Sequence, residues 1–311
     1  MKITKYLAVA LFALAMGGCQ NYDLNKDSVT TGKLKVGVDE SYSLMMESQL
    51  FVFNQLYNHA DVTAMYGAEG DIIQALLDDS IQSGIICRPL TDQELEFFKN
   101  KQRLPESTKI GVDALALVLN PANMDSTFQL AQLKQIFTGQ ITQWNQINPK
   151  SDLGAINIVF DNNKSCNERT VKEQLTGGAK LPDYCFAVHS NKEVIDYVNT
   201  HKNAIGVISV SWISDQEDPT VIENRKKIKV AGIIDPSNTD RPELARRPFQ
   251  AYIYDKTYPL RRDIYVIRTG LRGTLGTGFA SHLAGEKGQL IIHKMGMVTA
   301  TPPTRVVKIA D

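Results

Sequence analysis

The chain has 311 residues, 43% hydrophobic and 22% charged, enough to bury one large or two medium cores. Lys plus Arg and Asp plus Glu are equal at 34 each, so the formal net charge is zero and no global basic field points to nucleic acid. The five histidines are scattered and no CxxC or Cys/His spacing occurs, so neither a metal site nor a cofactor is expected.

Lys2 and Lys5 form a positive n-region before an apolar run from Tyr6 to Met16, too short to span a bilayer. The run ends in Leu14-Ala15-Met16-Gly17-Gly18-Cys19. Small residues before a cysteine resemble the lipobox of bacterial lipoproteins, although Met16 stands where Leu is usual. The resemblance implies a signal segment over residues 1–19 that ends at an acylated Cys19. Several acyl chains there would hold the protein to a membrane of the cell envelope, facing the periplasm. The alternative is an ordinary secretory signal cleaved near Gly18. Polar residues without apolar periodicity follow, and residues 20–32 read as a tether. Beyond Cys19 lie Cys87, Cys166 and Cys185, an odd number. Cys166 and Cys185 are the closest in sequence, either as a disulfide or as two buried thiols.

A short alternating strand over residues 34–38 runs into Asp39-Glu40-Ser41-Tyr42 and a helix from Leu44 to about His59, with Ser41 as a candidate N-cap. A strand over 61–65 turns through Gly67-Ala68-Glu69-Gly70 into a helix over 71–79. A third strand, 83–86, ends at Cys87-Arg88-Pro89, and Thr91 to Glu94 has capping-box spacing. The apolar run 112–120 fits a strand buried on both faces, followed by an amphipathic helix over 127–137. Further strands are expected at 156–160, 204–210, 252–254 and 263–267, and helices at 168–175, 191–200, 275–284 and 288–294. Repeated strand-turn-helix units predict a parallel α/β sheet. Ligands bind at the carboxyl ends of such strands, where helix N-termini offer unpaired N–H groups that suit an anion.

Val112-Asp113-Ala114-Leu115-Ala116, Asn120-Pro121-Ala122-Asn123 and the segment Leu130 to Trp144 resemble the phosphate-binding, PstS-like proteins of phosphate ABC importers. Cys87-Arg88-Pro89-Leu90, Asn203 to Gly206, Tyr258-Pro259-Leu260 and Gly285 to Gln289 extend the likeness over about residues 33–298. It implies a type II periplasmic-binding fold: two α/β lobes, 33–113 with 250–311 and 114–249, joined by crossovers near 112–118 and 243–255. The ligand would lie in a cleft between them.

In such proteins hydroxyls and helix N-terminal amides hold the anion, usually with one Arg. Carried over, this points to Glu40, Ser41 and Tyr42 in the first turn and Glu69 and Gly70 in the second. Cys87 and Arg88 come from the third, Arg88 being the foremost cation because guanidinium matches oxyanions bidentately. The fourth turn contributes Asp161, Asn163, Ser165, Cys166 and Asn167. Ser165 fits the family's Ser-Gly-Thr, whereas Cys166 and Asn167 depart from it. Asp161 stands where the family often has Arg, and Arg169 is placed to supply that charge. A carboxylate facing the ligand favours a protonated oxyanion, hence hydrogen phosphate over sulfate. The resemblance thus implies a monomeric, non-enzymatic receptor that delivers phosphate to an ABC permease. The alternatives are a changed ligand, or an assembly protein that keeps the fold without the anion site. GxSxG, HExxH and P-loop motifs are absent, which argues against an enzyme.

Overall fold

The computed structural model describes residues 27–301; the signal segment, Cys19 and most of the tether lie outside them. The first lobe starts with β1 (Thr31–Asp39), a 3-10 turn (Glu40–Tyr42) and α1 (Ser43–Leu56). It continues through β2 (His59–Gly67), α2 (Glu69–Leu77), β3 (Ser83–Ile86) and α3 (Asp92–Asn100). β1 lies between β2 and β3, parallel to both. Its inner residues Val36 and Val38 are fully buried. The Thr91/Glu94 capping box predicted from spacing starts α3.

β4 (Glu106–Leu119) then runs through both lobes. The second lobe contains β5 (Thr127–Gln129), α4 (Leu130–Phe137), β6 (Asn157–Phe160) and α5 (Cys166–Leu175). It goes on through β7 (Cys185–Ala187), α6 (Asn191–Thr200), β8 (Ala204–Ser209), α7 (Ser211–Ser214) and α8 (Pro219–Lys227), then β9 (Lys229–Val230) and β10 (Gly232–Ile234). The chain returns through α9 (Gln250–Tyr254) to β11 (Arg261–Arg268), α10 (Leu275–Ala284), α11 (Glu286–Lys294) and β12 (Val298–Thr299).

The stretch of β4 up to Ala114 pairs with β11, and Leu115 to Leu119 pairs with β8. One strand therefore carries the sheet from lobe to lobe, which is why residues 110–120 are buried without polar alternation. β8 continues to β6 and β7. Helix α6 packs tightly there: a Cβ on Gly206 would lie 2.7 Å from side-chain carbons of Val194 and Val198.

Three expectations need correction. The sheet is mixed, because β4 is antiparallel to both β11 and β8. Thr127–Gln129 is a strand, not the start of a helix, because it pairs with β10; α4 starts at Leu130. Tyr252 to Tyr254 belongs to short helix α9, in which Ile253 is buried and Tyr254 is 73% exposed. Ile253 N bonds locally to Phe249 O, so the apparent alternation reflects one buried side of a helical turn.

A buried ion pair pins the seam. Arg262 Nε and Nη2 donate to Asp113 Oδ2 at 2.9 and 2.8 Å, and Ser209 Oγ donates to Asp113 Oδ1 at 3.0 Å. β4, β11 and β8 meet at this carboxylate. Replacing Arg262 with Met should leave Asp113 uncompensated and destabilise the protein by about 3–5 kcal/mol, read from urea denaturation.

Candidate interlobe binding site

The floor of the cleft centres on Asp39, which ends β1 and is fully buried. Its Oδ1 accepts from Ser41 N at 3.0 Å. Its Oδ2 accepts from Glu69 N at 2.8 Å and Cys166 N at 3.1 Å. These amides belong to the first turn, to the start of α2 and, across the cleft, to the start of α5. Three amides thus meet on the chain's own carboxylate, while the third-turn amide of Cys87 donates to Glu69 instead. Burial pushes the Asp39 carboxyl above its usual value, against the pull of the Ser41 bond, the Arg262 guanidinium and the Cys166 amide. Sequence reasoning passed over Asp39. The available signal was an acidic residue two positions before Ser41, the spacing of an Asx turn.

A second acidic group lies beside it. Asp161 is fully buried, and its Oδ1 accepts from Ser165 Oγ at 2.7 Å and Asn167 Nδ2 at 2.9 Å. Its Oδ2 accepts from Ser41 Oγ at 3.5 Å and Asn191 Nδ2 at 3.3 Å. Across the cleft, Glu40 Oε2 accepts from Asn191 N at 2.9 Å and Asn191 Nδ2 at 2.5 Å. Asn191, the first residue of α6, was missed because an asparagine at a helix start reads as a cap. Burial pushes Glu40 up to about 8 and Asp161 up to about 7, with nearby carboxylates adding to both.

The lobes are closed on each other. Ser41 O accepts from Ser211 Oγ at 3.2 Å and Trp212 Nε1 at 3.1 Å. Gly70 N donates to Lys164 O at 3.2 Å. Arg169 Nε bonds Glu69 Oε2 at 2.5 Å, while Cys87 N donates to Glu69 Oε1 at 3.1 Å. Although burial opposes it, the Arg169 guanidinium holds the Glu69 carboxyl below the usual range.

The mouth of the cleft brings four arginines together with the carboxylates of Glu173 and Asp263. A cavity of about 230 Å³ is lined by Cys87, Arg88, Arg261 and Arg262 from the first lobe and by Arg169 and Thr170 from the second. Arg88 also makes a bidentate pair with Glu94 at 2.7 Å, so α3 positions it. Arg261 Nε and Arg262 Nη1 are buried without a partner among the described residues. The Arg262 guanidinium lies 5.3 Å from the Tyr42 ring centroid, and the buried Tyr42 hydroxyl likewise lacks a partner.

The predicted residues therefore divide. Ser41, Glu69 and Cys166 meet at Asp39; Glu40, Asp161, Ser165 and Asn167 form the acidic network; Cys87, Arg88 and Arg169 line the mouth. Tyr42 packs behind Arg262, and Gly70 contributes to lobe contact. Asn163 is exposed and faces a separate surface cavity. Cys166 and Cys185 are both free thiols. Arg261, Arg262 and Asp113 were not singled out because strand positions carry no turn signature.

The raised carboxyls fix the sign of pH dependence. Glu40 takes up its proton more readily when buried than at its ordinary 4.5, so its contribution is fully present below that value and is lost as pH rises through about 8. Asp161 acts in the same direction between 3.8 and about 7. Stability should therefore fall between pH 5 and 8, by about 1 kcal/mol per pH unit for each of the two groups, and Glu40→Gln should flatten the profile in urea melts.

Comparison with known proteins agrees with this architecture. A family profile described as "PBP superfamily domain" matches residues 25–287. The phosphate-binding protein PstS of Staphylococcus aureus (strain USA300) is 22% identical over 275 residues, covering 85% of this chain and 76% of that protein. A phosphate ABC transporter substrate-binding protein with bound phosphate from Clostridium perfringens superposes with a TM-score of 0.71 at 18% identity, covering 87% of this chain and 100% of the other. An ABC-type phosphate transport receptor from Vibrio cholerae gives a TM-score of 0.62 at 21% identity, covering 86% and 100%. These structures share the two-lobed fold. The chain belongs to the PBP superfamily.

Proposed function

We propose that the protein is an extracytoplasmic, lipid-anchored solute receptor that takes a small oxyanion, phosphate foremost, between its lobes and presents it to an ABC permease. The observation that carries this reading is the interlobe cavity lined by Arg88, Arg169, Arg261 and Arg262, with two buried guanidinium N–H groups unpartnered among the described residues. Guanidinium donors suit tetrahedral oxyanions. The cavity draws on both lobes, so a ligand there stabilises the closed form. Three of these arginines already face carboxylates, Arg88 that of Glu94, Arg169 those of Glu69 and Glu173, and Arg262 that of Asp113, and Asp263 also lines the cavity. The local charge is therefore moderate, and a partly protonated oxyanion fits better than a full dianion. The reading is binding rather than catalysis. Among the described residues no helix is long and apolar enough to cross a membrane, so attachment in this reading rests on Cys19.

A second reading is favoured by Asp39. Its carboxylate already holds the three amides that would bind an anion on the floor, as in a protein that keeps the fold while occupying its own site.

Calorimetry with inorganic phosphate separates the two. In the first reading wild type binds, is stabilised by about 2.7 kcal/mol at 100 times Kd, and loses about 10- to 100-fold in affinity in Arg261→Met. In the second, wild type gives no binding heat, and Asp39→Gly creates binding by freeing the amides. Absence of binding in wild type overturns the receptor reading for phosphate.

A further inference from the structure

Cys87 and Cys166 stand on opposite sides of the cleft, at the end of β3 and at the first position of α5. Cys87 Sγ, Cys166 Sγ and a carboxylate oxygen of Glu69 all lie within 4.8 Å of one another. Cys166 Sγ is 3.4 Å from Glu69 Oε1, and Arg169 Nη2 donates to Cys87 Sγ at 2.8 Å. Cys87 lines the mouth cavity, whereas Cys166 is fully buried behind it. Cys185 is only partly buried and sits apart on β7, so the two thiols nearest in sequence are not the pair the fold brings together.

We propose that Cys87 and Cys166 are a covalent modification site: they form a disulfide that fastens the two lobes across the cleft. The oxidant is a low-molecular-weight disulfide. Cys87, on the cavity side, attacks one sulfur of the oxidant as its thiolate; the oxidant's S–S bond breaks and one thiol leaves with a proton. Cys166 then attacks the Cys87 sulfur of the mixed disulfide, the second thiol leaves, and the interlobe bond forms. In total two protein thiols are oxidised, one disulfide is reduced to two thiols, and the protons move to the leaving groups. The guanidinium bond from Arg169 sits on the sulfur that attacks first. The new bond joins groups on opposite lobes that this closed structure holds within 4.8 Å, so it fastens the closed form and withholds the cavity from exchange with solvent. This depends on the positions of the two thiols and not on which solute the cleft binds.

The test uses the full chain, exchanged with oxidised glutathione and mapped by non-reducing peptide mass spectrometry. The expected result is a Cys87–Cys166 peptide pair, loss of two free thiols per chain, and a rise in the urea midpoint that reductant reverses. Cys185→Ser should behave as wild type. Cys166→Ser should stop at a glutathione adduct on Cys87 with no rise in midpoint, a readout that needs only a folded variant. A Cys166–Cys185 linkage, no linkage, or a linkage that leaves the midpoint unchanged overturns the proposal. So does one equivalent of zinc bound by the reduced protein that blocks oxidation, since the cluster is then a metal site.

Discussion

The closed arrangement depends on one carboxylate between three amide hydrogens. Helix N-termini gathered at one point make a region of positive potential in a low-dielectric setting, and it needs an anion. A soluble ligand can supply that charge, and so can a side chain. Here Asp39 supplies it, with two amides from its own lobe and one from the other. Lobe closure is therefore possible without a guest at the floor.

Charge placement follows the same logic. Beside Asp39, Asp161 accepts from Ser165, Asn167 and Asn191. Burial, with close carboxylates adding to it, raises Glu40 and Asp161, so both take up protons more readily than exposed carboxyls do. The cations are displaced outward. Arg169 bonds Glu69 from one side of the cavity, and Arg262 reaches Asp113 from the seam. Asp161, Ser165, Asn167, Asn191 and Ser41 thus form one hydrogen-bonded network, to which the Cys166 amide is joined through Asp39.

Much of the fold was legible because its signals are local. The Thr91/Glu94 box, the strand-turn-helix units and the apolar run through residue 119 each follow from short-range chemistry. The antiparallel insertion of β4 and β11 was not, because a strand buried on both faces reads alike in either direction. Tyr252 to Tyr254 misled because three residues cannot distinguish alternation from one helical turn. At the site, turn residues were visible by position and Asp39 had its spacing to Ser41, whereas Asp113, Asn191, Arg261 and Arg262 act through tertiary contacts that no spacing records.

The seam explains how the architecture holds around the acidic network. Arg262 bonds Asp113, Ser209 bonds the same carboxylate, and the Arg262 guanidinium lies against Tyr42 beneath the first turn. Ser211 and Trp212, just after β8, both donate to the backbone of Ser41. The floor is thus held by backbone carbonyls and a buried ion pair as well as by the anion at its centre. Chemistry at the turns can change residue by residue while these contacts keep the helix N-termini aimed at the same point. Specificity then depends on which charge occupies that point and which donors remain free at the mouth, and a family with one architecture can differ in both.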